Sequence, residues 1–206
     1  MTIDDRLSTL EALWSAWAQH GRAMTEDQWR QPTRLGDWDI RSLYAHVASW
    51  PEILAGVTGR VRDAEPVAPT AAALLRYINA PGGLAHSERN RVAENARADG
   101  ARQSTAQLID AFAGTGSRAI AAARQLGPVV VDYFGALLPL AEAVSIGIVE
   151  ATVHLLDLQR ALGREPDVPA GGLAHTTAVL VEMAPAVDFI EAATGRSTEA
   201  LFPLLS

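Results

Sequence analysis

An all-α fold, a helix bundle closed by a short helical extension at the C-terminus, is what this 206-residue sequence predicts. Three observations carry the prediction. Apolar residues recur at spacings of three and four through the long segments, the period of a helix face. Strand-like alternation is absent except at Pro128-Val129-Val130-Val131-Asp132-Tyr133, read as an extended linker. Residues that start and stop helices, namely Thr, Asp, Gly and Pro, stand at the segment ends.

Leu7, Leu10, Leu13, Trp14 and Trp17 predict a first helix over residues 5–20, ended by Gly21. Thr25-Glu26-Asp27-Gln28 has the form of a capping box and predicts a short helical turn. Residues 32–38 read as a loop. Asp39 can cap a helix with Leu43, Val47, Trp50, Ile53 and Leu54 on one side, bent or restarted at Pro51. After a charged, proline-containing connection over 59–69, residues 70–79 form a short helix that Pro81-Gly82-Gly83 breaks. Residues 84–126 are helical in character, polar in the first half and weakened around Gly100 and Gly114-Thr115-Gly116; Gly127-Pro128 stops them. A fifth major helix spans 139–162, with Gly163 as its C-terminal cap. Short helices split at Pro185 and Gly195 close the chain. The organisation expected is a bundle over residues 1–165 and an extension over 166–206 packed on it.

Composition excludes several functions. Seventeen basic residues face twenty-four acidic ones, a formal net charge of −7 that repels phosphate backbones, so no nucleic-acid partner is expected. With no cysteine, disulfides, thiolate metal ligands and a cysteine nucleophile are all ruled out. Every basic residue is Arg, which removes Schiff-base chemistry and a phosphate-loop lysine. The acidic start of the chain does not resemble a signal peptide. The longest apolar stretch, 134–162, is interrupted by Glu142, Glu150, His154 and Asp157, so no membrane span is expected. The expectation is a cytoplasmic monomer or homodimer acting on a small molecule.

The helix over 139–162 is the most informative. At 100° per residue, Ser145, Thr152 and Gln159 share one stripe, expected to face solvent. Glu150 and His154 fall roughly opposite, with Asp157 nearby, and so point into the bundle. A carboxylate there needs a partner, and a metal ion is one such partner. Glu150 and His154 lie one turn apart, ~6 Å along the axis, which suits two ligands of one ion. His46, beside an apolar stripe on another helix, is the candidate third ligand. Two histidines and a glutamate form a catalytic zinc set that leaves a position open; nickel or iron would also accept it. Each piece also has a plain structural reading, as a core histidine or a side-chain pair. Asp157 is either the acceptor that fixes an imidazole tautomer or the partner of Arg160 or Arg164.

His20, His86 and His175 read as structural, and Trp14, Trp17, Trp38 and Trp50 as core aromatics. Arg89, Arg91 and Arg97 read as a solvated face, with a carboxylate-binding cleft as the alternative. Gly114-Thr115-Gly116-Ser117 lacks the lysine and the strand of a phosphate loop. Neither a Gly-x-Ser-x-Gly elbow nor a His-Glu-x-x-His helix occurs.

Two segments resemble the mycothiol-dependent maleylpyruvate isomerase family, within the DinB-like superfamily. Leu35-Gly36-Asp37-Trp38-Asp39-Ile40-Arg41-Ser42-Leu43-Tyr44-Ala45-His46-Val47 resembles its Trp-to-His segment. Val149-Glu150-Ala151-Thr152-Val153-His154-Leu155-Leu156-Asp157-Leu158 resembles its Glu-x-x-x-His-x-x-Asp signature. Phe189–Arg196 and Leu201-Phe202-Pro203 are similar to the end of short family members. The resemblance implies a DinB-like four-helix bundle holding a divalent metal, usually zinc, on His46, Glu150 and His154. It implies mycothiol or a similar thiol as cofactor, whose thiolate adds to an electrophilic double bond for cis–trans isomerisation or is transferred to the electrophile. The sequence departs from the pattern in having Asp37 for the glycine before Trp38, Ser42 for a carboxylate, and no α/β domain at the C-terminus. A metal-dependent, thiol-using isomerase or transferase is therefore the first expectation. The rivals are a non-catalytic binding or dimerisation module with a structural or vestigial metal site, and a metal-assisted hydrolase.

Overall fold

The computed structural model describes residues 1–196 and 203–205; Leu201 and Phe202, part of the C-terminal resemblance, lie outside the described residues. Its elements are α1 (Ile3–Ala23), α2 (Glu26–Trp29), α3 (Ile40–Ala48), α4 (Trp50–Thr58), β1 (Val61–Arg62), α5 (Ala71–Ile78), α6 (Leu84–Arg102) and α7 (Thr105–Asp110). A π-helical segment (Ala111–Gly116) leads into α8 (Ser117–Leu126), followed by β2 (Val130–Tyr133), β3 (Ala136–Pro139), α9 (Leu140–Ala161), α10 (Ala170–Met183) and α11 (Ala186–Ala193). The bundle has four members. Two, α1 and α9, are long single helices packed on each other, and two are broken: α3 with α4, and α6 through α8.

The breaks follow local chemistry. Pro51 sits in the first turn of α4, where its missing N–H costs nothing, so the chain restarts there. The expected weak point at Gly100 lies inside α6 instead. Gly100 is buried, and a Cβ there would press on the Arg41 backbone, so the glycine permits a close crossing of α3 and α6. The helix stops at Gln103, and Ser104 starts α7 with a capping box to Gln107. The weakness at 114–116 is the π-helical segment, where Gly116 lies against Trp14.

Helix α1 runs past Gly21. That glycine is buried mid-turn because a Cβ would overlap the Tyr44 hydroxyl and Ile109. Thr25 and Gln28 form both halves of the expected capping box, and Asp39 accepts from the Ser42 N–H at 2.8 Å to start α3. Gly163 takes φ +65° after α9, and the Arg164 N–H returns to the Gln159 carbonyl at 2.9 Å.

The segment read as a linker is a strand. β2 pairs antiparallel with β1 (Val61 opposite Val131) and with β3 (Val131 opposite Leu138). The hairpin turns on Phe134 and Gly135, both at positive φ, a two-residue turn without the usual Asn-Gly signal. Val131 and Leu138 are buried beneath the sheet, which anchors the start of α9.

A second expectation fails on α9. Ser145, Thr152 and Gln159 are buried, not solvated. Helix α10 and the linker before it cover that face. Ser145 accepts from Arg6, whose guanidinium also pairs with Glu142 at 2.5 Å; Gln159 is bonded to the Asp167 backbone at 2.8 and 3.0 Å. Thr152 lies against Gly172 of α10. Among the described residues no single helix is long and apolar enough to cross a membrane.

Candidate metal centre

Helices α3 and α9 lie side by side and present three ionisable groups to one point. His46 stands in the last turn of α3. Trp38, from the loop before that helix, meets its ring edge-on with centroids 5.2 Å apart. Glu150 and His154 stand one turn apart on α9. Glu150 Oε2 lies 3.5 Å from His46 Nε2 and 3.6 Å from His154 Nε2. One ligand atom from each of the three lies within 4.8 Å of the others, the only such group of His, Asp or Glu among the described residues.

Nδ1 of His154 is 2.9 Å from Asp157 Oδ2, which leaves Nε2 for the shared point. Asp157 is buried, and its other oxygen accepts from Arg34 Nε at 2.6 Å. Of the two readings of Asp157, the geometry realises the imidazole acceptor. Arg160 turns instead to Glu165 and Arg164 to His20. Arg34 was invisible in the sequence, because an ion pair across 123 positions leaves no spacing pattern.

The donor set fits a small divalent cation. A tetrahedral ion with bonds of 2.0–2.1 Å holds its ligands ~3.3 Å apart, close to the two separations found. Imidazole nitrogen with carboxylate oxygen suits zinc, nickel or iron(II).

Electrostatics couple the same groups. Burial alone would raise the Glu150 carboxyl, but the adjacent His154 and His46 rings outweigh it and hold it well below the usual carboxylate range. Burial also opposes a charged His154, yet the hydrogen bond to Asp157 and the nearby Glu150 carboxylate raise that ring from 6.5 to about 9. Asp157 resists its own burial and is lowered by His154 and Arg34. Without an ion, a protonated His154 ring lies between the two carboxylates. A folded value above the unfolded one contributes stability that is complete below pH 6.5 and lost as the pH passes 9. In chelator-treated protein, the stability gap between wild type and His154→Gln is therefore expected to be on the order of 2 kcal/mol at low pH and to close on alkalinisation. Urea denaturation from about pH 6 to about pH 10 measures it. A gap that stays constant over that range would remove the His154 proton as its source.

The three groups open into a cleft of about 720 Å³, bordered by residues 35–38, Trp50, and Arg89, Ala93 and Arg97 of α6. Two tryptophans read as core aromatics are therefore cleft residues. Trp38 and Trp50 are only partly buried, whereas Trp14, Trp17 and also Trp29 belong to the core. Of the three arginines read as a solvated face, Arg91 pairs with Glu88 while Arg89 and Arg97 border the cleft. His20 contacts Gln159 and Arg164, His175 is a buried residue of α10, and neither borders the cleft.

Among solved structures, a crystal structure of a histidine-to-alanine variant of the mycothiol-dependent maleylpyruvate isomerase matches with a TM-score of 0.52 and 17% identity, covering 88% of this chain and 70% of that one. The likeness establishes the shared DinB-like fold. No curated protein matches the sequence. The family model described as the mycothiol maleylpyruvate isomerase N-terminal domain matches residues 10–159, from α1 to the last turns of α9 and across all three converging side chains. Since that match spans well over half of the sequence, the chain belongs to the mycothiol maleylpyruvate isomerase N-terminal domain family.

Proposed function

We propose that His46, Glu150 and His154 hold one divalent cation, zinc or nickel, and that the cleft above them brings a low-molecular-weight thiol of the mycothiol class to an electrophilic small molecule, for cis–trans isomerisation or S-transfer. The observation that carries this reading is the meeting of two imidazole nitrogens and one carboxylate oxygen at the floor of an open cleft. When bound, such an ion supplies a coordination position for sulfur and keeps a thiol ionised at neutral pH. The remaining roles fall to the chain. Asp157 keeps the His154 ring turned towards the shared point, and Trp38 packs against His46. The absence of cysteine suits a nucleophile that arrives with the cofactor.

Protein purified without chelator is expected to carry about one zinc per chain. Mycothiol near 100 times its Kd is expected to raise the Tm of zinc-loaded protein by roughly 5–10 °C and to leave chelator-treated protein unchanged. Wild type that neither retains nor takes up zinc would overturn the reading. An equal shift without metal would argue for a simple binding module, and thiol-independent turnover of an ester for hydrolysis.

A further inference from the structure

The first half of α10 is docked on the bundle through small and polar groups. Its buried residues there are Gly172, His175 and Thr176; the buried apolar side chains, Val179 and Met183, come from the second half. Gly171 and Gly172 let the helix close on Thr9, Leu13 and Thr152. Little apolar area therefore holds this end down, and polar contacts decide whether it stays.

Two histidines stand in the seam. His20, in the last turn of α1, lies between two donors: Gln159 Nε2 is 3.1 Å from its Nε2, and an Arg164 guanidinium nitrogen is 3.2 Å from its Nδ1. The Gln159 amide is fixed in orientation, because its Nε2 donates to the Asp167 carbonyl at 2.8 Å and its Oε1 accepts from the Asp167 N–H at 3.0 Å. A neutral ring can accept from one of the two donors, and an imidazolium from neither. Gln159 could offer the imidazolium an acceptor only by flipping its amide, which breaks both bonds to Asp167. The charged groups beside this ring, Arg164 and Asp167, both belong to the connection before α10.

His175 is the counterpart on α10. It is buried, and its Nε2 has no hydrogen-bond partner among the described residues. The charged groups around it are Arg6 and the N-terminal amine on the α1 side and Glu142 on α9. On α5, Arg76 turns away to the carbonyls of Glu182 and Met183. Both Glu142 oxygens are engaged, one by Arg6 and the other by the Ala71 N–H at 2.8 Å. A proton on His175 thus adds a buried cation beside Arg6 with no free carboxylate to meet it.

We infer that His20 and His175 hold residues 163–176 on the bundle only as neutral rings, so that this segment is a latch released by acid. Burial lowers both rings from the ordinary value of 6.5, helped by Arg164 at His20 and by Arg6 at His175, and opposed in part by Asp167 and Glu142. A folded value below the unfolded one contributes stability that is complete above pH 6.5 and lost as the pH falls through the folded value.

Amide hydrogen exchange on the full chain, corrected for the intrinsic pH dependence of exchange, tests the latch. Protection of residues 163–176 is expected to fall by about tenfold or more from about pH 7.5 to about pH 5, while residues 7–17 of α1 stay nearly unchanged. His20→Gln and His175→Gln keep an acceptor and cannot take up a proton; each is expected to shrink the fall, and the double variant to abolish it. NMR titration of the wild-type imidazoles needs no variant, and both rings are expected to titrate below pH 6.5. Three outcomes overturn the inference: an equal loss of protection through residues 7–17, an undiminished fall in the double variant, or either ring titrating at or above pH 6.5.

Discussion

His154→Ala is expected to lower zinc affinity by at least roughly a thousandfold, well beyond the 10- to 100-fold typical of losing a residue that only supports a ligand. The variant removes one of three donors and leaves Glu150 with a single imidazole neighbour at 3.5 Å. It also deprives buried Asp157 of one of its two partners, leaving Arg34 alone. The metal-free variant is therefore expected to be less stable too, by about 2 kcal/mol, since a buried carboxylate keeps its desolvation cost after losing a bond. Competition with a chromophoric chelator measures the first effect and urea denaturation the second. Asp157→Asn provides the internal scale. It should reduce affinity within the smaller range, because Nε2 of His154 stays in place and only the hold on its ring is weakened. A His154→Ala protein with wild-type zinc affinity would refute the ligand set.

Trp17→Ala is expected to cost about 4 kcal/mol of stability. Trp17 is fully buried. It stacks on Phe112 at 5.6 Å, meets Tyr44 edge-on at 5.2 Å, and its indole N–H donates to the Ala151 carbonyl at 3.0 Å. Truncation opens a void at the crossing of α1, α3 and the π-helical segment, and removes the second donor to a helical carbonyl next to Glu150. Trp17→Phe, which keeps most of the ring area, should cost about half as much. A shift in the urea midpoint corresponding to less than 1 kcal/mol for the alanine variant would contradict this account of the core.

How far the sequence could be read depended on the range of the interaction. Helix ends set by neighbours three or four positions away were legible: Thr25 with Gln28, Asp39 with Ser42, and Gly163 after α9. Glu150 and His154 were legible for the same reason, because helical spacing alone puts them on one face. What failed depended on partners distant in the chain. Gly21 looked like a terminator because Tyr44, which claims its missing side chain's space, lies elsewhere. Ser145, Thr152 and Gln159 looked solvated because Arg6, which bonds Ser145, Asp167, which bonds Gln159, and α10, which covers the face, are all missing from a helical wheel. The three-stranded sheet was missed because its hairpin turns on Phe134-Gly135 and its strands are at most four residues long.

The chain of contacts from Arg34 through Asp157 to His154 has a mechanical consequence. Arg34 precedes the lip formed by residues 35–38, so the rim and the imidazole are coupled parts. A ligand that displaces the rim pulls on the ring below it, and a change at the floor of the cleft is transmitted back to its mouth.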